Sequence, residues 1–162
     1  MISMIRIDDR LVHGQVAVKW SKQLSVDRIV VVSDSIAKNE IQISALKMAG
    51  PAGVKVAVLT LEKAIKILND PRSEKLNILV VTNEPKYVLE LLPKLNEDPI
   101  LNMANYGRIG GTLSDKEKVT ETVYLSQEDK DVVKQIFGLG FDFNYQPLPD
   151  DAPQSLKSLI GG

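Results

Sequence analysis

The chain has 162 residues, 44% of them hydrophobic and 25% charged, with a net charge of −1. That is about one domain's length of ordinary soluble composition, with no overall attraction for nucleic acid or an anionic membrane. It has no cysteine and a single histidine, which excludes disulfides, thiolate chemistry and any metal site built on two histidines of one chain.

No apolar run reaches the roughly 20 residues of a membrane span, and the N-terminus lacks a signal-peptide pattern, so a cytoplasmic protein is expected. In chain order, residues 2–7 read as a buried strand with Ile2, Met4, Ile5 and Ile7. After an Asp8–His13 loop, Val16, Trp20 and Leu24 recur every four residues, predicting a helix to about Leu24 in which Trp20 is a core anchor. Arg28–Val32 is a short β-branched strand ending at Ser33-Asp34. A second helix is expected over Lys38–Ala49, with Ile41, Ala45 and Met48 inward and Gly50-Pro51 as its stop.

Val54–Leu59 follows as a strand, then a helix capped by Thr60 with Leu61, Ala64, Ile65 and Leu68 on one face, closed by Asp70-Pro71. Asn77–Val81 is a continuous apolar strand of the kind covered on both faces. Asn83 is expected to cap the next helix, with Pro85 in its first turn, Tyr87, Val88, Leu91 and Leu92 buried, and Pro93 at its end. Ile100–Ala104 is a fifth strand, and 105–112 a Gly-rich loop. Lys118–Leu125 alternates like a half-exposed strand. Ser126 and Asp129 open a helix in capping-box style, Gly138 and Gly140 end it, and a strand through Phe141, Phe143 and Tyr145 precedes a short helix after Pro153.

Strand and helix alternate four times at short loop lengths, which predicts an α/β fold: an open, mostly parallel sheet of about seven strands with helices on both faces, in one domain over 1–162. Such sheets bind ligands beyond the carboxyl ends of their strands. Here those ends carry Asp8-Asp9, Ser33-Asp34, Thr60, Thr82-Asn83 and Asn105. Thr60 and Asn83 are accounted for as caps. Asp34 and Asp9 are candidates to support a site at the first strand, because the first two strands are usually neighbours in doubly wound sheets.

That site centres on His13, which stands between a strand end and a helix start, with Arg10 three residues back and Gly14 permitting close backbone approach. A neutral imidazole is a competent nucleophile near pH 7. Phosphoryl transfer needs mainly positioning and cations on the equatorial oxygens. Arg10 and the amides at Gly14 and Gln15 can supply both at the helix head without metal or cofactor. Asp8 can hold Arg10 or orient the ring.

The segment Arg6-Ile-Asp-Asp-Arg-Leu-Val-His-Gly-Gln-Val with Trp20, continued by Val-Val-Val-Ser-Asp after the second strand, resembles the enzyme IIB component of the bacterial sugar phosphotransferase system, mannose/fructose/sorbose family. The resemblance covers essentially the whole chain. It implies that His13 receives a phosphoryl group from a phosphorylated IIA protein on its Nδ1 (pros) nitrogen. His13 then passes the group to a sugar entering through the IIC/IID permease, with which the chain associates peripherally. Arg10 is then the arginine at the phosphate, and Asp8 belongs to the same loop. Ala104 departs from the glycine frequent in relatives, and no role carries onto Asn102 or Asn105.

A receiver-like phosphoacceptor signalling domain is the alternative, on the strength of Asp8 and Asp9. It also needs an aspartate ending the third strand and a lysine ending the fifth, where this chain has Leu59-Thr60 and Ala104-Asn105. A histidine phosphatase lacks its second histidine, and dinucleotide binding lacks its glycine spacing after the first strand.

Overall fold

A computed structural model gives the fold. It describes every residue except Gly110, which belongs to the Gly-rich loop, and Gly162. In chain order the elements are β1 (Ile2–Asp8), α1 (Gly14–Leu24), β2 (Arg28–Val32), α2 (Glu40–Ala49), β3 (Lys55–Leu59), α3 (Leu61–Leu68), β4 (Ile78–Thr82) and α4 (Pro85–Leu91). They continue with β5 (Leu101–Asn105), β6 (Glu117–Lys118), β7 (Tyr124–Leu125), α5 (Gln127–Gly138), β8 (Phe143–Tyr145), β9 (Gln154–Ser155) and α6 (Leu156–Ile160). Seven strands form one sheet in the order β3-β2-β4-β1-β5-β8-β9. All its pairings are parallel except β8 with β9.

The pleat sorts the strands between two apolar layers. Alternate residues of a strand face opposite sides, so Ile5 and Ile7 join the core under α3, α4 and α5, while Met4 joins the layer under α1. Val30, Val32 and Val80 go to the first layer and Ile29, Val31, Leu79 and Val81 to the second. The same period sends Arg6 and Asp8 toward α1 with Met4. Helices therefore cover both faces, as the alternation of apolar runs predicted.

Four expectations are corrected. The helix over Lys38–Ala49 begins two residues later, at Glu40, with Asn39 as its cap, and its phase is wrong. Ala45 is exposed, and Ile41 and Met48 are 84% and 86% exposed. Leu46 and Ala49 make the contact with the sheet instead. Apolar residues lie on more than one face of α2, so spacing did not fix which face is buried. Asn83 does not cap α4: Glu84 is the residue before Pro85, and no side chain bonds the helix amides there. Residues 118–125 do not form one strand. They turn through Thr120, whose hydroxyl accepts the N–H groups of Thr122 and Val123, so that β6 and β7 pair antiparallel. Finally, β1 and β2 are not neighbours, because β4 lies between them.

Thr60 and the Ser126–Asp129 capping box are found as read from the sequence.

Candidate active site at the end of the first strand

At the carboxyl end of β1 the chain folds back on itself through Asp8. The Asp8 backbone carbonyl accepts the N–H of Leu11 at 3.0 Å, and its Oδ1 accepts the N–H of Arg10 at 2.9 Å. The turn puts Leu11, a buried non-glycine residue, at φ 58, a left-handed conformation that costs about 1 kcal/mol or more and persists only where the surroundings hold it. Leu11 and Val12 are buried in the α1 layer. Their insertion anchors the loop from below while Arg10 stays exposed above.

The other oxygen of Asp8 organises the chemistry. Oδ2 lies 3.1 Å from an Arg6 guanidinium nitrogen and 3.2 Å from Nε2 of His13. Asp8 is fully buried and Arg6 nearly so, while His13 is partly exposed. A buried ion pair survives only where its remaining donors and acceptors are satisfied. Arg6 meets that condition. It donates to Asn102 Oδ1 at 2.7 Å and to the Pro147 carbonyl at 3.1 Å, and its guanidinium sits 5.4 Å from the centre of the Trp20 ring. Burial pushes the Arg6 guanidinium down from its ordinary value, with Asp8 pulling it back up. The indole N–H of Trp20 also donates to the Pro147 carbonyl, at 2.9 Å. Trp20, 3% exposed, is the core anchor expected of it and the platform under Arg6 as well.

A carboxylate only accepts hydrogen bonds. The 3.2 Å contact is therefore a hydrogen bond to the Asp8 carboxylate in the tautomer with the proton on Nε2, which leaves the lone pair on Nδ1. His13 is also the N-cap of α1, in extended conformation and with no side-chain bond to the helix. Its carbonyl accepts the N–H of Ala17, so the amides of Gly14, Gln15 and Val16 have no acceptor within the helix. Gly14 has φ +42, which suits glycine at this turn. His13 thus stands at the positive end of a helix.

Asp9 points the other way. Its Oδ2 accepts the N–H of Gly107 at 2.9 Å, and its own N–H donates to the Asn105 carbonyl at 2.8 Å. Burial pushes its carboxyl above the ordinary value, opposed chiefly by that Gly107 N–H. Register shifts between β1 and β5 here, from Ile7 opposite Met103 to Asp8 opposite Asn105, leaving Ala104 as the extra residue. Bulges of this kind bend a strand beside a site. Arg10, Asp9, Asn105, Arg108 and Ile109 line a cavity of about 370 Å³ next to the loop.

Asp8, Arg10, His13, Gly14 and Gln15 are therefore brought together, with Asp9 beside them. Asp34 is not. Its Oδ1 accepts the N–H of Leu61 at the head of α3, and its own N–H donates to the Tyr87 hydroxyl. The strand order explains the separation. Reading the sequence missed Arg6, Asn102 and the carbonyls of Gln146 and Pro147. The available signal was a lone cation inside an apolar strand, since a buried arginine requires a partner.

The sequence and the fold match a known family. The model of the PTS system sorbose subfamily IIB component matches residues 2–162. The chain belongs to the sorbose subfamily of phosphotransferase-system IIB components. It is 39% identical over 162 residues to a probable phosphotransferase enzyme IIB component of Streptococcus pyogenes serotype M6, covering 99% of both chains. It is 30% identical to the sorbose-specific EIIB component of Lacticaseibacillus casei, covering 99% of this chain and 95% of that one. The crystal structure of the IIBSor domain of the sorbose permease from Klebsiella pneumoniae superposes with a TM-score of 0.91 at 27% identity, over 99% of this chain and 96% of that one. This IIB component therefore has a transferase role in sugar transport, and its family works with IIA and IIC/IID partners. Among the described residues no helix is long and apolar enough to cross a membrane.

Proposed function

We propose that His13 is the phosphoryl carrier of this IIB component, with Nδ1 as the nucleophile. The observation that carries the reading is the Nε2 contact with buried Asp8, which leaves Nδ1 as the ring's free lone pair. That lone pair attacks the phosphorus of a phosphohistidine on the IIA partner. The new N–P bond forms as the old one breaks, and the departing ring keeps the electron pair. His13 then carries a positive ring, balanced by Asp8 through the Nε2 proton. Arg10 and the amides of Gly14 and Gln15 face the charge on the phosphoryl oxygens. In the second step a sugar hydroxyl presented by the IIC/IID permease attacks the phosphorus: the O–P bond forms as the Nδ1–P bond breaks, the hydroxyl proton passes to solvent, and His13 regains its Nδ1 lone pair. Residues 1–162 act in this scheme as one cytoplasmic phosphotransfer domain that meets the membrane through the permease.

The test is incubation with phosphoenolpyruvate, enzyme I, the histidine carrier protein and a cognate IIA, with phosphate labelled. Acid-labile, base-stable label is expected on the wild type and none on His13→Ala. Label that survives this substitution, or that hydroxylamine removes, sinks the reading. Arg10→Lys is expected to slow transfer about tenfold or more while leaving the melting temperature nearly unchanged, because a point charge replaces a planar fork on an exposed side chain. Equal rates would make Arg10 a structural residue.

A further inference from the structure

Arg10 is not the only unpaired cation on its cavity. Arg108 lines the same 370 Å³ space, and both guanidiniums are free of carboxylate partners among the described residues. Asp9, the one acid lining that cavity, spends Oδ2 on the Gly107 amide. Two unshared arginines around one concave site repel each other until an anion enters.

The position of Arg108 is also fixed from its root. The preceding residue, Gly107, has φ +85 and packs so tightly that a Cβ would fall 1.8 Å from the Tyr124 carbonyl oxygen. Its own carbonyl accepts Lys116 Nζ at 2.7 Å. Tyr106 pairs with Thr122 and Tyr124 through its backbone at 2.9 and 2.8 Å, and its hydroxyl donates to Asp129 at 2.7 Å. Every one of these bonds involves the residues before Arg108, and none uses its side chain. An exposed, unpaired arginine on an anchored backbone is poised for a ligand, because little ordering remains to be done on binding.

We propose that Arg108 is a second cation for the phosphoryl group in transit, taking an equatorial oxygen from within the cavity it shares with Arg10. This rests on the His13 reading and extends it. A phosphoryl group in flight spreads its charge over three oxygens, and a planar guanidinium can hold two of them at once. Arg10 and Arg108 together can therefore span all three. Asp9 then has a purpose as a tether: through Gly107 it keeps the root of Arg108 beside the His13 loop.

The experiment measures the initial rate of His13 phosphorylation for wild type, Arg108→Gln and Arg108→Lys. Two donors are used: phosphorylated IIA and phosphoramidate, a small donor with no protein surface. Arg108→Gln is expected to be slower with both donors by about tenfold or more, with partial recovery in Arg108→Lys, and with an unchanged melting curve. Slowing with phosphorylated IIA alone overturns the proposal, since Arg108 then steers an acidic protein face. Unchanged rates with both donors overturn it as well. In either case wild-type label on His13 leaves the carrier reading standing. Absence of that label from the wild type removes both.

Discussion

Asp8 and Asp9 are consecutive, identical in chemistry and opposite in use. The pleat turns Asp8 toward α1, where it is fully buried against Arg6 and bonded to the His13 ring. It turns Asp9 toward the Gly107 amide, half-buried and without a cation at bonding distance among the described residues. One strand end thus serves two loops. The Asp8 half is a charge network closed on every side, and the Asp9 half is a backbone tether with exposed cations beyond it. In the proposed mechanism the first sets which ring nitrogen reacts, and the second holds the added cation near the reacting group.

The largest effect should come from opening the closed half. Arg6→Met removes the cation and leaves the Asp8 carboxylate buried with only the Arg10 amide and the His13 ring as partners. Breaking a buried pair from one side costs about 3–5 kcal/mol. Urea unfolding of Arg6→Met is expected to show a loss of that size, with the double variant Arg6→Met, Asp8→Leu recovering part of it. A loss below about 1 kcal/mol would mean that Asp8 does not depend on Arg6 and that the network is less closed than its distances indicate.

The tether half fails differently. Gly107→Ala places a Cβ against the Tyr124 carbonyl at a φ that side chains avoid. Relieving that clash requires the root of the Gly-rich loop to move. About 2–3 kcal/mol of stability is the expected cost, by urea unfolding, with slower phosphotransfer from IIA as the second readout. The His13 ring should be unaffected, so its chemical shifts and its Asp8 hydrogen bond should stay as in the wild type. Displaced His13 resonances would show that the two halves are coupled through β1.

The difference between the halves also explains what the sequence could reveal. The sheet, the β-α alternation and the His13 loop were legible because each rests on local signals: apolar period, turn residues and one motif within eleven positions. Arg6 was overlooked because its partners Asn102 and Pro147 lie 96 and 141 residues away, and only the fold brings them close. Asp34 was misplaced for the same reason, since the insertion of β4 between β1 and β2 is not written in either strand. Helix α2 misled by composition. With Ile41, Ile43, Leu46 and Met48 spread around it, no face stands out, and only contact with β3 selects Leu46 and Ala49.

The smallest effect is the pH dependence of the tether itself. Burial raises the Asp9 carboxyl above its unfolded value, so its proton is held more tightly in the folded chain. The favourable contribution of that shift is present in full below the unfolded value, near 3.9, and is lost as pH rises through the folded value. Above it the wild type carries an ionised, partly desolvated carboxylate that Asp9→Asn does not, while the asparagine carbonyl can still accept from Gly107. The stability of wild type relative to Asp9→Asn is therefore expected to fall between pH 4 and neutrality, by a fraction of a kcal/mol. Urea titrations of both proteins at the two ends of that range decide it. A relative stability that instead rises with pH would mean that Asp9 is held by a cation in solution, which would make this half of the site resemble the Asp8 half after all.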